Sequence, residues 1–151
     1  CHTGAPVITL LLTALLGCTK AGLYPLAPVA AQRASSDFKV EASAEVDFTT
    51  TRSDLKLHLD LHSSGASAAR VDLSKLWWKV DGVSWQRCRH GKQTDKNSLI
   101  FNLPAGQSRS MDLLCQDIPR PYEKVEVRFH TAGTGSLGVV SLEFKGIAQP
   151  L

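Results

Sequence analysis

His58, Asp60 and His62 alternate along one run of the chain. On an extended strand they share a face about 7 Å apart, from which imidazoles and a carboxylate converge on a metal if another strand adds a ligand. Lys56 falls on the same face, where its ammonium repels a cation, and a solvated strand face accounts for all four residues. No metal is expected. Gly133-Thr134-Gly135-Ser136-Leu137-Gly138 carries the letters of the dinucleotide fingerprint G-x-G-x-x-G. That chemistry needs a helix N-terminus after the glycines to hold the pyrophosphate, whereas Val139 to Lys145 alternates as a strand, so a hairpin loop is expected instead. No Ser, His and acid stand in a nucleophile context and Gly-x-Ser-x-Gly is absent, so neither catalysis nor a cofactor is expected.

Binding chemistry is better represented. Arg87, Arg89, His90, Lys92 and Lys96 cluster against a single Asp95, directly after Trp85. Basic side chains beside aromatic rings engage acidic protein segments or anionic headgroups. Trp77 and Trp78 are neighbours, so on a two-stranded ribbon they point to opposite faces: one is core and the other less covered. An exposed tryptophan would anchor a partner. The partner-binding candidates are therefore Trp77, Trp78, Trp85, Arg87, Arg89 and Lys92. Across the chain 17 basic side chains face 14 acidic ones, a net charge of +3 without any Lys/Arg block, which argues against nucleic acid. Lone His90 and His130 are expected in a loop and on a strand surface.

These residues sit in a run of strand signals. From Phe38 to Phe48 apolar and polar residues alternate, and Leu55, Leu57, Leu59 and Leu61 repeat the pattern after a loop-like TTTRS. Asp81-Gly82 is a two-residue turn that tolerates positive φ at both central positions, in a register that sets Val80 opposite Val83 and Trp78 opposite Trp85. Further strands are expected over Ser98 to Leu103, Lys124 to Ala132 and Val139 to Ile147. Met111, Leu114, Cys115 and Ile118 fall at helical spacing, yet Met111, Leu113 and Cys115 also alternate; the strand is favoured because its neighbours are strands. At 151 residues and 43% apolar the chain fits one globular domain. The expectation is an all-β fold, an antiparallel β-sandwich of about eight strands.

The chain begins differently. Residues 1–19 contain no charged side chain, and the apolar run from Ala5 to Gly17 is 13 residues, too short for a bilayer-spanning helix of about 20. It suits the apolar core of a secretory leader. Because the chain opens on Cys1 and its sole methionine is Met111, the leader's start is expected to be incomplete. Leu15-Leu16-Gly17-Cys18 resembles the bacterial lipobox. That resemblance implies cleavage before Cys18, a thioether lipid on its sulfur and an acylated amine, about three chains where roughly two signals give stable anchoring. A small-x-small site at Val29-Ala30-Ala31 is the alternative cleavage point. Thr19, rather than Asp, after the cysteine implies outer-membrane sorting. The expected organisation is leader 1–17, lipidated Cys18 with a flexible tether over 18–36, and a domain over 37–151. The tether's residues could reach up to about 60 Å.

In an oxidising envelope Cys88 and Cys115 are expected to pair, closing a loop worth about 3.5 kcal/mol in the chain-entropy picture. A lipobox leader, a Pro/Ala-rich segment and a compact β domain resemble the small envelope lipoproteins that help secretion machines assemble, and most of all the β-sandwich pilotins of type III secretion. Leu103-Pro104-Ala105-Gly106 before Met111 to Cys115 is similar to that family's proline–glycine turn before a strand. The resemblance implies a lipid-anchored adaptor on the periplasmic side of the outer membrane, its partner a secretin. Two alternatives have the same layout: an envelope immunity or inhibitor lipoprotein, and a tethering lipoprotein such as that of type VI secretion.

Overall fold

Leu55, Leu57, Leu59 and Leu61 are each no more than 2% exposed, while Lys56 and Asp60 between them face water. Burying each leucine contributes about 1.5–3 kcal/mol, which sets this strand against a core. The structure is a computed structural model that describes residues 22–30, 33–35, 38–48, 52–92, 98–132 and 138–145. Among these are ten strands: β1 (Gly22–Ala30), β2 (Arg33–Ser35), β3 (Phe38–Phe48), β4 (Ser53–Ser63), β5 (Ala69–Val80), β6 (Gln86–Arg87), β7 (Ile100–Leu103), β8 (Ser108–Ile118), β9 (Lys124–Ala132) and β10 (Gly138–Lys145). The order is β6-β5-β9-β10-β1-β3-β4-β8, with β2 beside β3 and β7 beside β5, and every pairing is antiparallel. The fold is all-β and sandwich-like, as the alternation predicts.

The predicted tether is corrected. Residues 22–30 form β1 and 33–35 form β2, so strands of the sheet reach into the segment expected as a flexible tether. The first half of β1 pairs with β3, from Gly22↔Phe48 to Leu26↔Ala44, and the second half with β10, from Ala27↔Lys145 to Ala30↔Glu143. Each half is hydrogen-bonded on one side only, which leaves a free side for the missing N–H of Pro25 and Pro28. Those prolines made the segment read as a tether. In the fold they occupy the one strand that leaves the β3–β4–β8 layer and joins the β10–β9–β5 layer. Tyr24 packs edge-on against Phe48, ring centroids 5.1 Å apart, and fastens the start of β1.

The far edges of the two layers meet through residues 88–91. Cys88 N–H donates to the Leu76 carbonyl of β5 at 2.8 Å; Gly91 N–H donates to Leu114 O of β8 at 3.1 Å, and Gln116 N–H returns a bond to Arg89 O at 2.9 Å. Cys88 and Cys115 are disulfide-bonded, S–S 2.05 Å, as expected from sequence, and both are buried. A Cβ on Gly91 would stand 2.6 Å from Leu114 Cδ2, so the close approach of this segment to β8 suits glycine.

Two irregularities decide which side chains face inward. In β5 the buried set passes from Ala69, Val71 and Leu73 to Leu76, Trp78 and Val80, because the register against β9 shifts between Asp72 and Trp77. Asp72 Oδ1 accepts from the Ser74 N–H and hydroxyl at that point. In β8 the buried set passes from Leu113 and Cys115 to Ile118 across Asp117, whose φ is 58°, with a matching shift between Ser53 and Leu55. The segment is a strand, as favoured, and this bulge explains its helical spacing.

Replacing Cys88 and Cys115 together by serine is expected to lower the unfolding free energy by about 3.5 kcal/mol, the chain-entropy value for residues 27 apart. Chemical denaturation of the oxidised parent and the double variant measures it; coincident midpoints would show that the hydrogen bonds of residues 88–91 close the edge unaided.

Candidate functional site

The shift in β5 sends Trp78 inward, 8% exposed, and leaves Trp77 half-buried on the outer surface. The Asp81-Gly82 turn forms as expected, with φ of 50° and 71° and Val83 N–H bonded to Val80 O at 3.1 Å. The predicted register beyond it is corrected: Trp78 stands opposite Gln86 and Trp77 opposite Arg87. The strand resumes one residue later than a two-residue hairpin requires, and Trp85 falls in the irregular stretch before β6.

That slip assembles an array of cations and rings on the outer face. The Arg128 guanidinium lies 4.2 Å from the centroid of Trp85 and 5.8 Å from that of Trp77. Lys79 Nζ covers Trp85 at 4.7 Å and Arg87 covers Trp77 at 5.7 Å. The Glu126 carboxylate forms ion pairs with Lys79 at 3.5 Å and Lys124 at 4.0 Å. Each such cation–ring contact contributes about 0.5–1 kcal/mol at a surface. Neither Trp77 nor Trp85 is the bare anchor that a less covered tryptophan suggested; both are half-buried beneath cations.

Around the edge of this face opens a cleft of about 900 Å³, with Trp78, Val80 and Ile118 among its lining and Arg52, Arg87, Arg89 and Arg120 around it. Two aspartates, Asp81 and Asp117, also line it. Asp117 pairs with Arg89 at 2.9 Å and Arg52 at 3.6 Å. Asp81 accepts the backbone N–H groups of Tyr122, Glu123 and Lys124 at 2.7–3.3 Å, which ties the turn to the chain entering β9. Burial of the Asp81 carboxyl opposes its charge, but those three donors outweigh burial and hold it below its ordinary 3.8. Arg120 instead lies against rings, 5.5 Å from Phe48 and 5.2 Å from Tyr122. Its Nη2 and the Trp78 Nε1 are buried donors without an acceptor. With four arginines and two aspartates in its lining, the cleft suits a ligand carrying negative charge.

The structure divides the sequence candidates. Trp78, Arg87 and Arg89 line the cleft; Trp77, Trp85 and Arg87 belong to the outer array; Lys92 is exposed in the turn after Gly91, outside both. Cys18 and residues 1–17 lie outside the described residues, as do Lys96, Asp95 and residues 133–137; β10 begins at Gly138, so a strand follows the glycine motif. Arg52, Arg120 and Arg128 were missed. Arg120 had a signal, since Pro119 and Pro121 restrict the backbone on either side of it. Arg128 had none apart from its parity in β9.

On the other layer His58 Nδ1 donates to Asp112 at 2.7 Å and its Nε2 lies 3.2 Å from Asp60, which also accepts from Ser110. His62 is hydrogen-bonded to Ser108 Oγ at 2.7 Å. The two imidazoles thus turn to different partners, and among the described residues no three His, Cys, Asp or Glu side chains are placed to hold a metal. The Asp112 hydrogen bond, opposed slightly by burial and aided by Asp60, raises the His58 pKa above its ordinary 6.5. Comparison of the chain with protein-family models, with curated proteins and with solved structures finds no match.

Because folding depresses the Asp81 pKa, its contribution to stability is present above the unfolded value and lost as pH falls through the folded one. Asp81→Asn, which keeps a residue tolerant of positive φ, is expected to cost about 1 kcal/mol at pH 7, the deficit shrinking below pH 3.8. A deficit constant down to acid pH would count against the carboxylate. His58 has the opposite sign: its folded pKa is raised, so Asp112→Asn is expected to cost a few tenths of a kcal/mol below pH 6.5 and nothing above the folded value. Thermal melts at pH 5.5 and 9 read this, and equal losses at both would dismiss the charge pair.

Proposed function

We propose that this protein is a lipid-anchored adaptor facing the periplasm from the outer membrane, and that it acts as a pilotin: it binds a secretin and aids its targeting and assembly in type III secretion. The observation that carries the adaptor reading is the outer-face array of Trp77, Trp85, Arg87, Arg128 and Lys79, a surface of aromatic rings held in place by cations. Such a surface supplies rigid contact area and positive charge with little side-chain entropy left to lose, which suits an acidic segment of a protein partner. The lipobox at Leu15-Leu16-Gly17-Cys18 supports the anchor, and the resemblance of the whole layout supports the secretin. The mechanism is physical: the domain holds the partner segment while the lipid on Cys18 directs the pair to the outer membrane.

In the producing cell Cys18→Ala is expected to abolish incorporation of labelled palmitate, release the protein from the outer-membrane fraction and reduce secretin multimers there. Palmitate labelling that survives the substitution refutes the anchor. Unchanged secretin multimers after deletion of the gene refute the pilotin role.

A further inference from the structure

The start of β1 lies at the same end of the sandwich as the cleft. If Cys18 bears the lipid, as proposed above, only four residue steps separate it from Gly22, so the first strand starts within about 14 Å of the anchored residue. Gly22 pairs with Phe48, Phe48 with Ser53 and Ser53 with Ile118, so these four residues lie at one end of the β-sandwich. That is the cleft's end: Ile118 and Arg52 line it, and Arg120, also in its lining, lies 5.5 Å from the Phe48 ring. The turn at Asp81–Gly82 and Tyr122 are joined there by the Asp81 carboxylate.

The surface at this end is the kind that rests on a bilayer. Leu23 at 53%, Val83 at 82% and Tyr122 at 53% are three of the five exposed large hydrophobic side chains among the described residues. The cleft sets four arginines against two aspartates, and both aspartates are already engaged. Among the described residues Arg87 and Arg120 have aromatic rings for neighbours and no carboxylate partner. A phosphate oxygen supplies the acceptor and the negative charge that such guanidinium groups take.

We infer that this cleft seats anionic phospholipid headgroups of the leaflet that holds the lipid, so that the domain stands on the membrane by its Arg52–Arg120 end. The Trp77–Trp85 face is then turned outward, free for a protein partner. Val83 and Tyr122 enter the interface, and the arginines meet the phosphates.

The test uses the mature-length chain from residue 18 with Cys18→Ser, which has no lipid of its own, sedimented with phosphatidylcholine vesicles with and without phosphatidylglycerol. Binding is expected only to the anionic vesicles, weakening with salt. Each arginine at the surface is worth about fivefold in partitioning, so Arg52→Gln with Arg120→Gln is expected to weaken it about 30-fold. Lys39→Gln with Arg70→Gln, the same charge removed at the opposite end, is expected to change it little. A spin label at Val83→Cys should become immobilised on the vesicles and one at Ile100→Cys should not. Equal binding to neutral vesicles, equal loss with the two charge pairs, or immobilisation at Ile100→Cys overturns the inference, as does an acidic peptide occupying the cleft while anionic vesicles fail to bind. The assay does not involve the lipid, so its failure sinks the headgroup site whatever Cys18 carries. An unmodified Cys18 in the mature protein sinks the anchoring instead.

Discussion

The structure depends on the closure of its two layers at the edge opposite β1. Residues 88–91 bond to β5 through Cys88 N–H and to β8 through Gly91 N–H and Arg89 O, and the Cys88–Cys115 disulfide locks the same place covalently. The ends of β5 and β8 are therefore held at fixed separation, and those ends carry Trp78, Val80, Asp117 and Ile118 into one cleft. Because the closing segment follows β6 directly, Arg87 and Arg89 are delivered to the rim by the same hydrogen bonds that complete the sandwich. The chemistry at the rim is thus coupled to the integrity of the edge.

Within that frame, the local electrostatics separate two populations of arginine. Arg52 and Arg89 meet Asp117, and that pair is solvent-accessible enough to contribute little to stability. Arg87, Arg120 and Arg128 are set against rings, where the guanidinium plane gains dispersion and quadrupole attraction. A cation oriented by a ring is preorganised without being neutralised. The cleft and the Trp77–Trp85 face therefore carry guanidinium groups set against rings, although the chain as a whole is only +3.

Much of the layer structure was legible along the chain. The Phe38–Phe48 and Leu55–Leu61 alternations became β3 and β4 with the expected faces, and the Asp81-Gly82 pair formed the expected turn. The pairing of Cys88 with Cys115 was legible as two thiols within one small domain. Where reading failed, prolines or bulges were responsible. Pro25 and Pro28 hid β1, since a proline can sit in a strand only where a neighbour leaves one side open, and that neighbour is remote in sequence. The extra residue before β6 displaced Trp85 from Trp78, and nothing local marks it.

By itself the sequence determined that the domain is built of half-buried strands, because period two is a property of the extended backbone and needs no partner. It determined equally the inventory of rings and cations. Tertiary structure alone decided which of those residues meet. The Asp72–Trp77 shift and the Asp117 bulge each invert the inward face partway along a strand, and distant segments bond to both: Leu99 O accepts from Leu73 N–H and Asp54 Oδ1 from Asp117 N–H. Trp78 faces inward with Arg120 beside the cleft, and Trp77 faces outward with Arg128, for that reason: a face is assigned by pairing, and pairing is settled only when the sheet is complete.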